Sequence, residues 1–192
     1  MTMEPLSPNV GVLPIGPGVL YPDLLPSNVW GSNLRGILSR PEWDRLRMPV
    51  AQAADMRCEV CRQPSRNGQT RAQRTPDCHE LWYFESVGDS KVQRLLRLIA
   101  LCVECHQVQH IGLAQLKNQM WQVRAQLKAV NSWTDAEVDL AIRNAEERFR
   151  WRGQYQWDLD LSVLQGKVQV FGHPSLRIPA ADREALGNSF RP

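Results

Sequence analysis

The stretch from Cys58 to His110 constrains this 192-residue chain more than any other. It reads C-E-V-C at Cys58 to Cys61, P-D-C-H-E-L-W at Pro76 to Trp82, and L-C-V-E-C-H-Q-V-Q-H at Leu101 to His110. All five cysteines lie in it, with three of the four histidines, His79, His106 and His110. Two Cys-x-x-Cys pairs about forty residues apart match a four-thiolate zinc site, because each short pair supplies two corners of a tetrahedron. The expectation is a structural zinc ion on Cys58, Cys61, Cys102 and Cys105. A unit this small buries little apolar surface, and a metal staple is the common remedy.

The redox setting agrees. The N-terminus has no basic segment ahead of an apolar run, and nowhere do about eighteen apolar residues follow one another. Neither a secretory signal nor a membrane span is expected, and the expected compartment is the cytoplasm. Reduced thiols there favour metal over disulfides, as does the odd cysteine count. Net charge is only +3, yet Arg57, Arg62, Arg66, Arg71 and Arg74 crowd one segment whose only acid is Glu59. The plain reading is a solvated loop. The functional one makes Arg62, Arg66, Arg71 and Arg74 phosphate contacts and nucleic acid, DNA in particular, the partner.

The rest of the chain supplies flanks. Residues 1–30 form a Pro/Gly-rich arm, too interrupted for a helix or central strand, but with enough apolar residues (Val12, Leu13, Ile15, Val19, Leu20) to dock. Residues 31–112 hold the zinc unit behind short leading helices. Ser39 caps the first, with Pro41 in its first turn and a stop before Pro49, and a second covers Val50 to Met56. Leu81–Phe84 and Val92–Leu101 favour strands around a Gly88–Asp89–Ser90 turn. Cys102 and Cys105 open a helix that places His106 and His110 one turn apart on one face, with Gly112 as its C-cap. Residues 113–164 carry an apolar seam (Leu113, Leu116, Met120, Val123, Leu127, Val130), then a helix with a Thr134–Glu137 capping box, then a short extended piece. The seam reads as core or as the contact of a homodimer. Residues 165–192 lack any period and are expected to be an irregular tail, with His173 on the surface.

Cys-x-x-Cys, a strand histidine, then L-C-x-x-C-H-x-x-x-H resembles the HNH nucleases of the ββα-metal superfamily, in their four-cysteine zinc form, over residues 55–112. The resemblance implies an α+β fold with a small zinc-stapled ββα, treble-clef-like core, flanked here by helices and the Pro-rich arm. It implies a metal-dependent endonuclease that hydrolyses DNA phosphodiester bonds. His79 matches the general base, and His106 and His110 match helix positions that bind a catalytic divalent metal (Mg2+, Mn2+, Ni2+ or Zn2+) or the scissile phosphate. Two positions depart from the pattern. Cys78 stands where the family has aspartate or histidine, and a thiolate suits zinc better than magnesium. Asp77 or Glu80 is the substitute, although only one of two neighbouring strand residues faces a given side. No asparagine lies between His79 and Cys102 to orient the base, which leaves Gln93. Two other readings stand beside the nuclease: a non-catalytic zinc module that binds nucleic acid or a protein partner, and, from Cys102-Val-Glu-Cys105-His106, a c-type haem attachment.

Overall fold

The computed structural model describes residues 13–29, 33–66 and 72–188. Its centre is a hairpin of β1 (Asp77–Val87) and β2 (Ser90–Leu101). The two strands join through a two-residue turn in which Gly88 takes φ +58°, the region that tight hairpin turns need and glycine enters freely. β3 (Asp158–Asp160) adds parallel to β2, and β4 (Arg177–Ile178) antiparallel to β3, so the sheet order is β1-β2-β3-β4. Helices α1 (Leu34–Ile37) and α2 (Arg40–Ala53) precede the sheet. α3 (Val103–Gln109), α4 (Ile111–Leu116), α5 (Met120–Asn131) and α6 (Asp135–Arg152) follow β2, and α7 (Arg183–Asn188) ends the described chain. The architecture is mixed α+β, and among the described residues no helix is long and apolar enough to cross a membrane.

The sheet separates two cores. On one face Ile99 and Leu101 of β2 pack with Leu20, Cys58, Val60, Val108, Ile111, Val123, Leu127 and Val138. On the other, Trp82, Phe84 and Leu95 pack with Leu34, Ile37, Leu46, Trp157, Leu159 and Leu186. A bulge makes this division possible. Leu81 pairs with Arg97 but Trp82 pairs with Leu95, leaving Leu96 as an extra residue in β2. Unbroken alternation would turn Leu95 to the same side as Ile99; the extra residue sends it to the side of Trp82 and Phe84.

Several local expectations are corrected. α2 does not stop before Pro49 but runs from Arg40 to Ala53, capped by the Ser39–Glu42 box. Pro49 removes one amide donor and strains its turn, yet Pro49 and Arg45 both lie at the exposed surface, where a carbonyl without an amide partner is open to solvent. The helix ends instead where Asp55 and Met56 take positive φ. Gly112 is no cap: it lies inside α4, and a Cβ there would stand 3.1 Å from a Leu24 methyl, so its lack of a side chain admits the arm. The continuous seam is broken as well. Asn118, at φ +56°, turns the chain between α4 and α5. Leu113 and Leu116 are thereby left 51% and 81% exposed, while Val123 and Leu127 are buried. Much of the 165–192 segment is packed: Val168, Val170, Leu176, Ile178 and Leu186 join the core, and the buried Arg183 donates to Trp157 O and Gln93 Oε1. These apolar residues have no period because they come from short, differently oriented pieces. His173 is likewise mostly covered, 3.9 Å from Asp182.

The described part of the arm lies across the cysteine-side core, its backbone partnered by side chains. Leu20 N donates to Asn131 Oδ1 and Leu20 O accepts from Asn131 Nδ2, both at 2.8 Å. Gln109 donates to Tyr21 O at 2.7 Å and Arg148 to Pro22 O at 2.9 Å. Arg148 and Arg152 of α6 are buried beneath the arm. A segment too rich in proline for a ladder thus satisfies its polar groups without one. Asn131→Ala leaves both Leu20 groups unpaired and is expected to lower the unfolding free energy by about 1–3 kcal/mol. The measurement is a urea midpoint at unchanged slope; an unmoved midpoint would show that Asn131 does not hold the arm.

Candidate metal centre

The first cysteine pair is a turn fastened to the end of β2. Cys58 N donates to Gln63 O and Arg62 N to Cys58 O, each at 3.0 Å, with Arg62 at φ +60°. Between the cysteines, Glu59 N donates to Ala100 O at 2.9 Å, and Glu59 Oε1 accepts from Ala100 N at 2.8 Å. This extension of the sheet brings Cys58 and Cys61 to Cys102, which caps α3 by accepting from Cys105 N. The four sulfurs lie within 4.8 Å of one another. The 3.6 Å between Cys61 and Cys102 compares with about 3.8 Å across a tetrahedral edge built from ~2.3 Å zinc–sulfur bonds. It is far longer than a disulfide of about 2.05 Å. Hydrogen bonds among the four sulfurs push the Cys58 and Cys61 thiols down and leave the Cys102 and Cys105 thiols raised. Gln126 of α5 donates to Cys105 Sγ at 3.1 Å, a partner that no sequence signal announces. The donor set is close enough to bind a metal, and four sulfurs leave no position for a substrate.

The second cluster stands beside it. His79 projects from β1, His106 from α3, and His110 follows the end of that helix at φ −118°, ψ 43°. Their ring nitrogens lie within 4.8 Å of one another, and Nε2 of His106 is 3.0 Å from Nε2 of His110. Burial, followed by the His106 and His110 charges, holds His79 well below the ordinary imidazole range. Desolvation and then His106 push His110 down to about 4, against the upward pull of Asp23 and Asp77. Both shifts favour the neutral ring, the state in which imidazole binds a metal. His79 is 7% exposed, and its Nδ1 is buried without a hydrogen-bond partner. Such an orphaned atom is costly unless some group occupies it. The three converging imidazoles are close enough to hold a metal ion.

Strand alternation decides which neighbour of His79 shares the site. Asp77, two residues away, lies on the same face. Its Oδ2 is 3.4 Å from His106 Nδ1 and its Oδ1 2.5 Å from Arg74. Burial is the largest single influence and would raise this carboxyl, but the His106 hydrogen bond and charge, joined by the Arg74 and Arg35 charges, together hold it below its ordinary value. Cys78 and Glu80 are turned to the opposite face, which corrects their reading as catalytic-metal ligands. Glu80 accepts from Leu34 N at 3.0 Å, tying α1 to the sheet, and its carboxyl is raised by burial. Gln93 cannot orient His79: it pairs with Phe84, whereas His79 pairs with Ile99, and it is engaged by Arg183. Of the arginines, Arg74 reaches the histidine site through Asp77. Arg62 pairs loosely with Asp55 at 3.5 Å, Arg66 bridges to Gln73 on the exposed loop, and Arg71 lies outside the described residues. The haem motif is turned inward, with Cys102 and Cys105 both buried in the four-sulfur cluster.

Cys78 gives a chemical check on these placements. Burial, followed by the Glu80 charge, pushes its thiol up to about 12, against about 8.5 for a free cysteine. Alkylation near pH 8 is expected to be roughly a thousandfold slower than for an open thiol, since the thiolate is the nucleophile. Metal-loaded protein should show no fast-reacting thiol, and denatured, chelated protein all five. A fast single-thiol phase in the native protein would place Cys78 in water.

No protein-family model, curated protein or solved structure matches the chain.

Proposed function

We propose that this protein is a metal-dependent endonuclease of the HNH type that hydrolyses DNA phosphodiester bonds. In this reading β1, β2 and α3 form the ββα, treble-clef-like unit, with Cys58, Cys61, Cys102 and Cys105 holding structural zinc. The observation that carries it is the convergence of His79, His106 and His110 on one point, with their ring nitrogens within 4.8 Å of one another. His106 and His110 would hold the catalytic divalent cation, and Asp77 would steady His106 from behind, as carboxylates commonly do for metal-binding imidazoles. The cation, when bound, neutralises charge developing on the phosphate and the departing 3′ oxygen. His79 takes a proton from the attacking water as its oxygen bonds to phosphorus and the bond to the 3′ oxygen breaks. Arg74, with Arg62, Arg66 and Arg71, supplies positive charge for the DNA backbone.

The test is cleavage of supercoiled plasmid by wild type and His79→Ala in magnesium, manganese, nickel and zinc, after zinc analysis of both proteins. Nicking or linearisation by wild type alone supports the reading. Failure of wild type to cut with any metal overturns it, and leaves a non-catalytic zinc module that binds nucleic acid or a protein partner.

A further inference from the structure

We propose that Cys61 is an oxidation site: a hydroperoxide entering the cleft beside the four sulfurs links Cys61 to Cys102 in a disulfide and releases the metal. The inference rests on the reading that these cysteines hold structural zinc, and is independent of the nuclease.

The four sulfurs are not equally sheltered. Cys58 and Cys105 are 0% exposed, and Gln126 Nε2 covers the Cys105 sulfur at 3.1 Å. Cys61 is partly exposed. With Cys102 it lines an open cleft of about 510 Å³, which neither Cys58 nor Cys105 reaches. Small-molecule sites occupy ~300–1,000 Å³, so the cleft has ample room for a peroxide. It runs between the turn that carries Cys61, the start of α3 and one side of α5, where Ala129 forms part of the wall. Arg66 and Glu104 give that wall one charge of each sign, so a neutral oxidant meets no electrostatic barrier.

The cleft therefore opens on one cysteine from each pair. Their sulfurs are 3.6 Å apart and need to close to about 2.05 Å in a disulfide. An accessible sulfur with a second one poised to resolve it is the arrangement of redox-sensing cysteines. The Cys61 sulfur attacks one peroxide oxygen and the O–O bond breaks, leaving a sulfenic acid and a hydroxide. The Cys102 sulfur then attacks the Cys61 sulfur, the S–O bond breaks and a second hydroxide leaves. The two sulfurs lose two electrons, the peroxide gains them, and two solvent protons turn the hydroxides into water. A sulfur engaged by a metal has less free thiolate character, so the reaction is slow beside that of an open thiol. Two remaining thiolates cannot close the tetrahedral shell that four supply. Because Cys102 caps α3, which carries His106, oxidation at the cleft is felt at the histidines.

The test treats the full, zinc-loaded chain with hydrogen peroxide. A colorimetric chelator follows zinc, and peptide mass mapping locates any disulfide. Zinc release in step with a Cys61–Cys102 disulfide is expected, and dithiothreitol with added zinc should restore the starting protein. A disulfide that joins any other pair, Cys78 included, overturns the proposal, as does zinc release through sulfinic acids without a disulfide. Ala129→Phe, at an exposed position on the cleft wall, is expected to slow both readouts several-fold at unchanged zinc content. An unchanged rate overturns the cleft as the route. Should Ala129→Phe not fold, Gln63→Trp narrows the cleft from the Cys61 turn and is read in the same way. A chain shown to hold no metal on the four sulfurs overturns the zinc reading and this inference together. A zinc-loaded chain that peroxide leaves intact overturns this inference alone.

Discussion

Removing the metal from Cys58, Cys61, Cys102 and Cys105 is expected to unfold the zinc-side half of the molecule and to scatter the histidines. A structural zinc ion contributes an apparent ~10–16 kcal/mol in small zinc modules, comparable with the whole stability of a typical domain, about 5–15 kcal/mol. Cys58, Cys102 and Cys105 are at most 1% exposed, so an empty site leaves crowded thiols inside the core that packs Leu20, Ile99, Leu101 and Val123. The proposed catalysis would go with it, because Cys102 caps α3 and His106 follows Cys105 directly. Cys105→Ser is expected to lose cooperative thermal unfolding of this half, and wild type treated with a strong chelator should behave alike. An unchanged melt in protein shown to be zinc-free would refute the stapling role.

His79→Ala is expected to lower kcat/KM for plasmid cleavage by about 10²–10⁴-fold, the usual weight of a general base, while the protein stays folded and zinc-loaded. Two stability effects oppose each other. Truncating a buried ring leaves a cavity, but it also removes the buried Nδ1 that hydrogen-bonds nothing, relieving an unsatisfied polar atom. The informative measurement sets nickel affinity beside rate. A base lost alone leaves nickel affinity near wild type and collapses turnover. If affinity and turnover collapse together, His79 is a ligand of the cation, and another group must take the proton from water.

Local chemistry was legible because covalent spacing imposes it. The two Cys-x-x-Cys pairs determine a four-sulfur cluster on their own, since a short turn forces both sulfurs of a pair to one side. His106 and His110, four residues apart, meet because one helical turn joins them; the Thr134–Glu137 and Ser39–Glu42 boxes are local in the same sense. Which neighbour serves the histidines is a different kind of question. Alternation says that Asp77 and Cys78 point to opposite faces, but which face meets α3 depends on how the sheet divides the two cores, and so on packing contributed by residues from Leu20 to Leu186. The extra residue at Leu96 follows from that same division. The arm shows the limit most plainly: nothing around Leu20 to Asp23 in the sequence marks where that segment docks, and only Asn131, Gln109, Arg148 and Arg152, brought together by the fold, hold it in place. The sequence alone determined the four-cysteine cluster and the histidine pair; the tertiary structure decided that Asp77 stands beside His106, because a facing carboxylate is a property of packing and not of spacing.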